Sequence, residues 1–229
     1  MNNNLPPISE IWVYLSGSPL LALVLTLSAY LLGLTLYERS QRNPLANPVL
    51  IAVVLVTLSI SVLDMPYAKY FEGAQFVHFL LGTATVSLAI PIYTGFASLK
   101  GRMGVLLLSL VAGGVTSVFT AVGMARWLGV DESLVRGLVA KSVTAPIAMG
   151  IAERVQASPT LTAIFAVSTG ILGAVLGRYV LDALRVTQWW QRGFALGVAA
   201  HGIGTSRAFS VNAEAGAYAS LGMGLHGIV

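Results

Sequence analysis

An all-α, polytopic membrane protein is the fold class this sequence predicts, and three observations predict it. The chain of 229 residues is 56% hydrophobic and only 10% charged, against roughly 25% charge in soluble domains. Its mean hydropathy is +0.80. Long apolar runs recur at 20–37, 49–63, 103–125 and 161–177, and they reach or approach the roughly 20 residues that a helix needs to cross a bilayer. So many runs cannot be one signal peptide. The first is a poor candidate for one in any case, because residues 1–19 hold no Lys or Arg and carry Glu10.

The spans follow in order. The first covers 17–37 and ends at ERSQRNP, where Arg39, Arg42 and Pro44 mark a loop. The second, 48–63, is short and stops at DMPYAKYFEG, with Asp64 placed as a cap or turn residue ahead of Pro66. The third, 75–98, contains Gly82, Pro91 and Gly95 and is expected to be a broken helix. After the KGR turn at 100–102, the fourth span runs over 103–125 and ends at Arg126. Two further hydrophobic segments follow, at 133–152 and 160–178. The last stretch, 192–229, has the length of two short spans. It holds eight Gly and two His, and its middle, HGIGTSRAFSVNAEAG, is expected to be a turn or an unwound stretch. The whole of 1–229 is expected to form a single integral membrane domain.

Charge orients the spans. Basic residues collect on cytoplasmic loops, so Arg39, Arg42, Lys100 and Arg102 place the 38–44 loop and the KGR turn inside. The loop with Asp64, Lys69 and Glu72 then lies outside, as do the N-terminus and the loop at Asp131 and Glu132. Arg178, Arg185 and Arg192 put the 178–192 loop back inside. Only one full crossing can therefore lie between 132 and 178, although that interval holds two hydrophobic segments. The count closes if 133–152 dips in and returns on the same side. That segment carries Lys141 and Pro146 amid apolar and small residues. Irregular backbone survives at membrane depth only where protein or a water-filled cavity satisfies it. The expected architecture is thus a helical bundle with discontinuous or re-entrant helices, of the inverted-repeat transporter kind.

Several function classes drop out. The net charge of +4 is spread over loops that flank the spans, with no basic stripe to bind nucleic acid. There is no Cys, and the three His, at 78, 201 and 226, are scattered, so no metal site or cofactor is expected. The sequence has no nucleophile–base–acid set, P-loop, dinucleotide fingerprint or HExxH motif. An enzyme is not expected.

The candidate site residues are those that are expensive to place in a membrane. Lys141, with Ser142 and Thr144 beside it and Pro146 freeing a backbone carbonyl, offers donors for a small anion. A Lys near a segment's end can also snorkel to the interface with lipid. Arg207 in HGIGTSRAF has the fork that matches a carboxylate, while the blander reading pairs it with Glu214 or a lipid phosphate. His201, six residues earlier in a Gly-rich break, can take or give a proton near neutral pH, and Thr205 lies between them. Thr83 and Thr85, in LLGTATVSLAIP, would form a third wall, although a Thr in a span more often bonds back to its own helix. LGTATVSLAIPIY and KSVTAPIAMGIAE also resemble each other, each small and polar before a Pro, as interrupted helices of a carrier's repeats do.

These stretches carry a resemblance. LLGTATVSLAIPIY at 80–93, KSVTAPIAMGIAE at 141–153, LTAIFAVSTGILGAVLG at 161–177, RGFALGVAAHGIGTSRA at 192–208 and SLGMGLHGI at 220–228 resemble the LrgB/CidB family of bacterial membrane proteins over essentially the full chain. Two departures stand out: Thr83 where the family commonly has Pro, and Ala145 where it has a second Thr. The resemblance implies a multi-pass protein of the bacterial cytoplasmic membrane, working beside a separate small LrgA/CidA-like membrane protein. It implies one of two roles. The first is transport of small monocarboxylates such as pyruvate, glycolate or glycerate. The alternative is a holin- or antiholin-like role in murein hydrolase activity and cell lysis. Lys141 and Arg207 in broken segments favour a carrier, since a pore needs neither. A homodimer is expected in either case.

Overall fold

The structure is a computed structural model that describes residues 19–87, 90, 93 and 101–229. All regular structure among these residues is helical. They divide into two compact units between Val86 and Ser87.

In the first unit, α1 (Pro19–Arg39), α2 (Pro48–Val62) and α3 (Tyr67–Ser87) follow one another. Asn47 starts α2: its side-chain oxygen accepts the N–H groups of Val49 and Leu50 at 2.9 and 3.1 Å, and Pro48 at the first helical position has no N–H to leave unbonded. Asp64 sits in the turn after α2 with φ +48°, as expected. Tyr70 is buried against Ala22 and Ala74, and its hydroxyl lies 2.7 Å from that of Thr26. Thr26 spends its own proton on the Ala22 carbonyl at 2.7 Å, so Tyr70 is the donor of the pair.

α3 departs from the expected third span. It begins at Tyr67 and runs unbroken through Gly82 to Ser87. A single Gly costs a helix only about 1 kcal/mol, too little to interrupt one that its neighbours support. The expected breaks at Pro91 and Gly95 lie outside the described residues.

In the second unit, α4 (Met103–Trp127) and α7 (Pro159–Ala183) are 25 residues each. Between them, the segment expected as one re-entrant piece is two short helices, α5 (Glu132–Leu138) and α6 (Ala145–Arg154). At 1.5 Å per residue they reach about 10 and 15 Å, well short of a bilayer's core. Both lie against the first half of α7. Gly137 sits so close to Thr162 and Phe165 that a side chain there would press on them. Ala140, Val143, Ala148 and Ala166 form one buried cluster.

The last two helices are α8 (Trp189–Val211), whose two halves fold back on each other at Ala200–His201 so that Gly204 lies against the Leu196 carbonyl, and α9 (Ala213–Ile228), which follows a second turn at Asn212. Asn212 caps α9 by accepting the Ala215 N–H at 3.1 Å. Gly193 and Gly197 let the two backbones touch, because a Cβ on either would collide with the carbonyls of Ala215 and Ala219. The stretch expected to be a turn or unwound, from His201 to Gly216, does turn at Asn212 and is helical on either side of it. The chain also breaks at the head of this stretch, at Ala200 and His201, where φ/ψ are −129°/15° and 39°/−131°.

Arg102 ties one end of this unit together. Its guanidinium lies 4.9 Å over the Trp190 ring, donates to the Tyr218 hydroxyl at 3.0 Å and sits 4.0 Å from Glu214. Below it, Leu106, Leu110, Phe194, Val198, Tyr218 and Leu221 make the largest buried apolar cluster described. Arg102 and the 178–192 loop thus share one end of the unit, the arrangement the charge count requires. At the start of α5, Arg126 forks onto Glu132 at 2.6 and 3.2 Å, and Asp131 accepts the Ser133 N–H at 2.8 Å.

Among the described residues, Leu20–Arg39, Met103–Trp127 and Pro159–Ala183 are long and apolar enough to cross a membrane. Their outer faces keep large apolar side chains exposed, with Leu108 and Phe119 of α4 each at 72%. That is the surface a hydrocarbon solvent requires.

Two predictions follow from this packing. Gly197→Val forces α8 off α9 and should destabilise the protein by at least the roughly 1–3 kcal/mol typical of overpacking, read as a lower melting temperature in detergent. An unchanged melting temperature would contradict the backbone contact. The second concerns acid. The Arg126 guanidinium holds the Glu132 carboxyl below its ordinary value. Its contribution is therefore complete above the usual carboxylate range and is lost as pH falls through the lowered value. Any gap in melting temperature between wild type and Glu132→Gln should be constant at neutral pH and close only below about pH 4. Being exposed, the pair should move it little.

A candidate anion site at the Lys141 turn

Lys141 is delivered by the break between α5 and α6. Residues 139–144 form a turn, Thr144 is extended (φ −62°, ψ 146°) and Pro146 opens α6. The turn satisfies much of its own backbone: the Lys141 N–H donates to Leu138 and the Val143 N–H to Ala140, both at 3.3 Å. The half-buried ammonium donates to Ser117 on α4 at 2.7 Å and to Ser142 at 3.2 Å. The two hydroxyls lie 2.8 Å apart, which closes a triangle of hydrogen bonds. An ammonium has three donors, and this set occupies two. Among the described residues, no carboxylate lies within 4.0 Å of it.

Two cavities of about 780 Å³ each meet at this group, and Ser117 and Ser142 line both. One runs beside α4 from Val105 to Ser117 and along the second half of α7 to Trp190, with Lys141 and Thr169 in its wall. The other runs beside α4 from Leu110 to Phe119 and along α6 to Arg154, with His226 in its wall. The first leads toward the Arg102 end of the unit and the second toward the Arg154 end.

The other expected site residues fall in three places. His201 and Thr205 form a buried pair at the α8 break, 4% and 1% exposed. The His201 Nε2–H donates to the Ala166 carbonyl at 2.8 Å, and Thr205 donates to the His201 carbonyl at 2.8 Å. Gly170 makes room for the ring, since a Cβ there would stand 2.7 Å from His201 Cε1. The positive φ at His201 costs about 1–3 kcal/mol, held in place by these contacts. Ala166 is the link between the sites: its carbonyl holds His201 while its side chain packs with Ala140 and Val143.

Arg207 lies half-buried in the second half of α8. Glu214, the partner in its blander reading, lies near Arg102 instead. Thr144 is half-buried and its hydroxyl does not cap α6. None of Thr144, His201, Thr205 and Arg207 lines either cavity. Thr83 is exposed on α3 in the first unit and donates to its own helix, at the Leu80 carbonyl, at 2.8 Å. Thr85 is on the same helix. The site described here is built from the second unit alone. No sequence pattern singles out Ser117, a serine among the apolar and small residues of α4 that looks like any hydroxyl bonding back to its helix.

A model of the LrgB-like family matches residues 26–229. The chain belongs to the LrgB-like family. It is similar to the Bacillus subtilis protein YwbG, 33% identical over 210 residues that cover 92% of this chain and 93% of that one. YxaC of the same organism is 30% identical over 206 residues, covering 90% and 89%. The holin-like protein CidB of Staphylococcus epidermidis is 26% identical over 209 residues, 91% of each. No solved structure matches. With its long apolar helices, this LrgB-like chain is a multi-pass protein of the bacterial inner membrane.

The two polar groups should respond differently to mutation. His201→Ala strands the buried Ala166 carbonyl and should cost about 1–3 kcal/mol, whereas Lys141→Met removes a charge whose partners satisfy each other. Melting in detergent should therefore fall more for His201→Ala, and the reverse order would reject these assignments.

Proposed function

We propose that the protein has a holin- or antiholin-like membrane role, and that the activity beneath it is passage of small monocarboxylates through the second unit. The broader half has the firmer support: family membership, and relatives named holin-like that align over nine-tenths of the chain. The finer half rests on one observation, a half-buried ammonium with two hydroxyl partners and no carboxylate where two cavities meet. A cation so placed favours an anionic ligand, because burial makes an unpaired charge costly. On this reading α5, the Lys141 turn and α6 dip into the membrane and return, and Ser117 and Ser142 stand between an outward and an inward cavity. Thr144 and Arg207 are kept as ligand groups that close in during transport. A homodimer and a small LrgA/CidA-like partner belong to the same proposal.

The test is uptake of labelled pyruvate, glycolate and glycerate into liposomes, with the protein alone and then with the partner. Saturable uptake with competition among the acids is expected. Lys141→Ala should lower it by about 10- to 100-fold, the worth of a charged hydrogen bond of roughly 1.5–3 kcal/mol. Leakage without saturation would leave a pore as the activity behind the holin-like role. No flux under either condition would leave a regulatory membrane protein.

A further inference from the structure

His226 faces a cavity, and the reading of the site so far leaves it unused. It sits in the last turn of α9 and lines the same cavity as Ser117, Ser142 and Arg154. Its ring lies in a notch on α4 made by Gly114: a Cβ there would stand 2.9 Å from His226 Cε1 and 3.5 Å from Nδ1. Gly114 and Ser117 are three residues apart, so they share one face of α4, and the notch opens beside the hydrogen-bonded triangle. The side chain is half-buried. Among the described residues its ring has no hydrogen-bond partner, whereas His201 Nε2 is committed to the Ala166 carbonyl.

We propose that His226 is the proton-accepting residue of this site, and that its imidazolium joins Lys141, which lines the adjoining cavity, in holding a small carboxylate where the two cavities meet. The proposal rests on the transport reading above. The charges around His226 explain why proton and anion would go together. The turn supplies Lys141, α6 supplies Arg154 and the break in α8 supplies His201, while α4 brings no titratable residue to this cavity wall. A further cation beside Lys141 and Arg154 is disfavoured while the cavity holds only water. An arriving carboxylate offsets that repulsion. By linkage, a ligand that binds better to the protonated site draws a proton in with it, and the proton strengthens the ligand by the same factor. His201 cannot do this where it stands, because its ring is enclosed by Ala166 and Gly170.

The test is the pH profile of labelled pyruvate uptake by the full chain in liposomes between about pH 5 and 8. In wild type, KM should rise about tenfold per pH unit above the histidine range, the slope of one coupled proton. His226→Gln should flatten that slope, and His201→Gln should keep it. A slope that survives His226→Gln overturns the proposal. Diethyl pyrocarbonate labelling, read by mass spectrometry on the wild-type chain, gives a second readout that needs no flux. His226 should react and His201 should not, and pyruvate should protect His226. If wild type carries no pyruvate, the transport reading fails by itself. Protection of His226 would then still support the proton-linked anion site, and its absence would overturn it.

Discussion

Much of the second unit can be understood as the surroundings that one ammonium group requires. Lys141 cannot sit on a continuous apolar helix facing lipid, since hydrocarbon offers neither a counter-charge nor a hydrogen bond. The chain therefore breaks at 139–144, and short-range backbone bonds within the turn satisfy groups that a helix would have paired. Ser117 on α4 and Ser142 on the turn then accept the ammonium's protons. Two hydroxyls cannot neutralise a charge. The cavities on either side supply the rest, through water or an anion.

The opposite wall is built on another principle. α8 and α9 meet backbone to backbone at Gly193 and Gly197, and the polar side chains buried beside this contact are small and bonded to backbone carbonyls, Thr205 to His201 and Ser220 to Gly216. The α8 break is sealed, with His201 and Thr205 bonded inside the protein. A sealed break and a break that borders cavities thus lie on the two sides of Ala166, which touches both. The sealed one fixes the path of α8. The other presents a charge.

What the sequence revealed follows from this difference. Spans and broken segments show in composition, because a charge or a proline in an apolar run has few physical excuses, and Lys141 and Pro146 stood out on that ground. The bias of basic residues was enough to put Arg102 and the 178–192 loop at one end. Helix continuity was harder to foresee. Gly82 suggested interruption, yet α3 runs through it, because one glycine costs a helix little; the Gly-rich stretch at His201 is interrupted, but only at Ala200–His201 and at Asn212 and not along its length. Pairing across helices was not legible at all. That Ser117 meets Lys141, and that Gly114 makes the notch for His226, depends on how α4 is rotated against its neighbours, and no local pattern encodes that rotation. His201 was singled out by its Gly-rich surroundings, a local measure that does not tell which ring faces a cavity.

The holin-like and carrier readings are less opposed than their names suggest. A pore that passes large solutes needs a continuous opening, and within the second unit the two cavities are separated by hydrogen-bonded side chains of Ser117, Lys141 and Ser142. On the proposed reading, such a barrier would open for a ligand that can replace those hydrogen bonds. A small carboxylate can, since it accepts from an ammonium and from hydroxyls at once, and a large neutral solute cannot. Any effect on lysis that depends on Lys141 would then arise from movement of small acids and their protons across the membrane, and a lytic effect indifferent to Lys141 would have to arise elsewhere, at a surface between copies or with a partner.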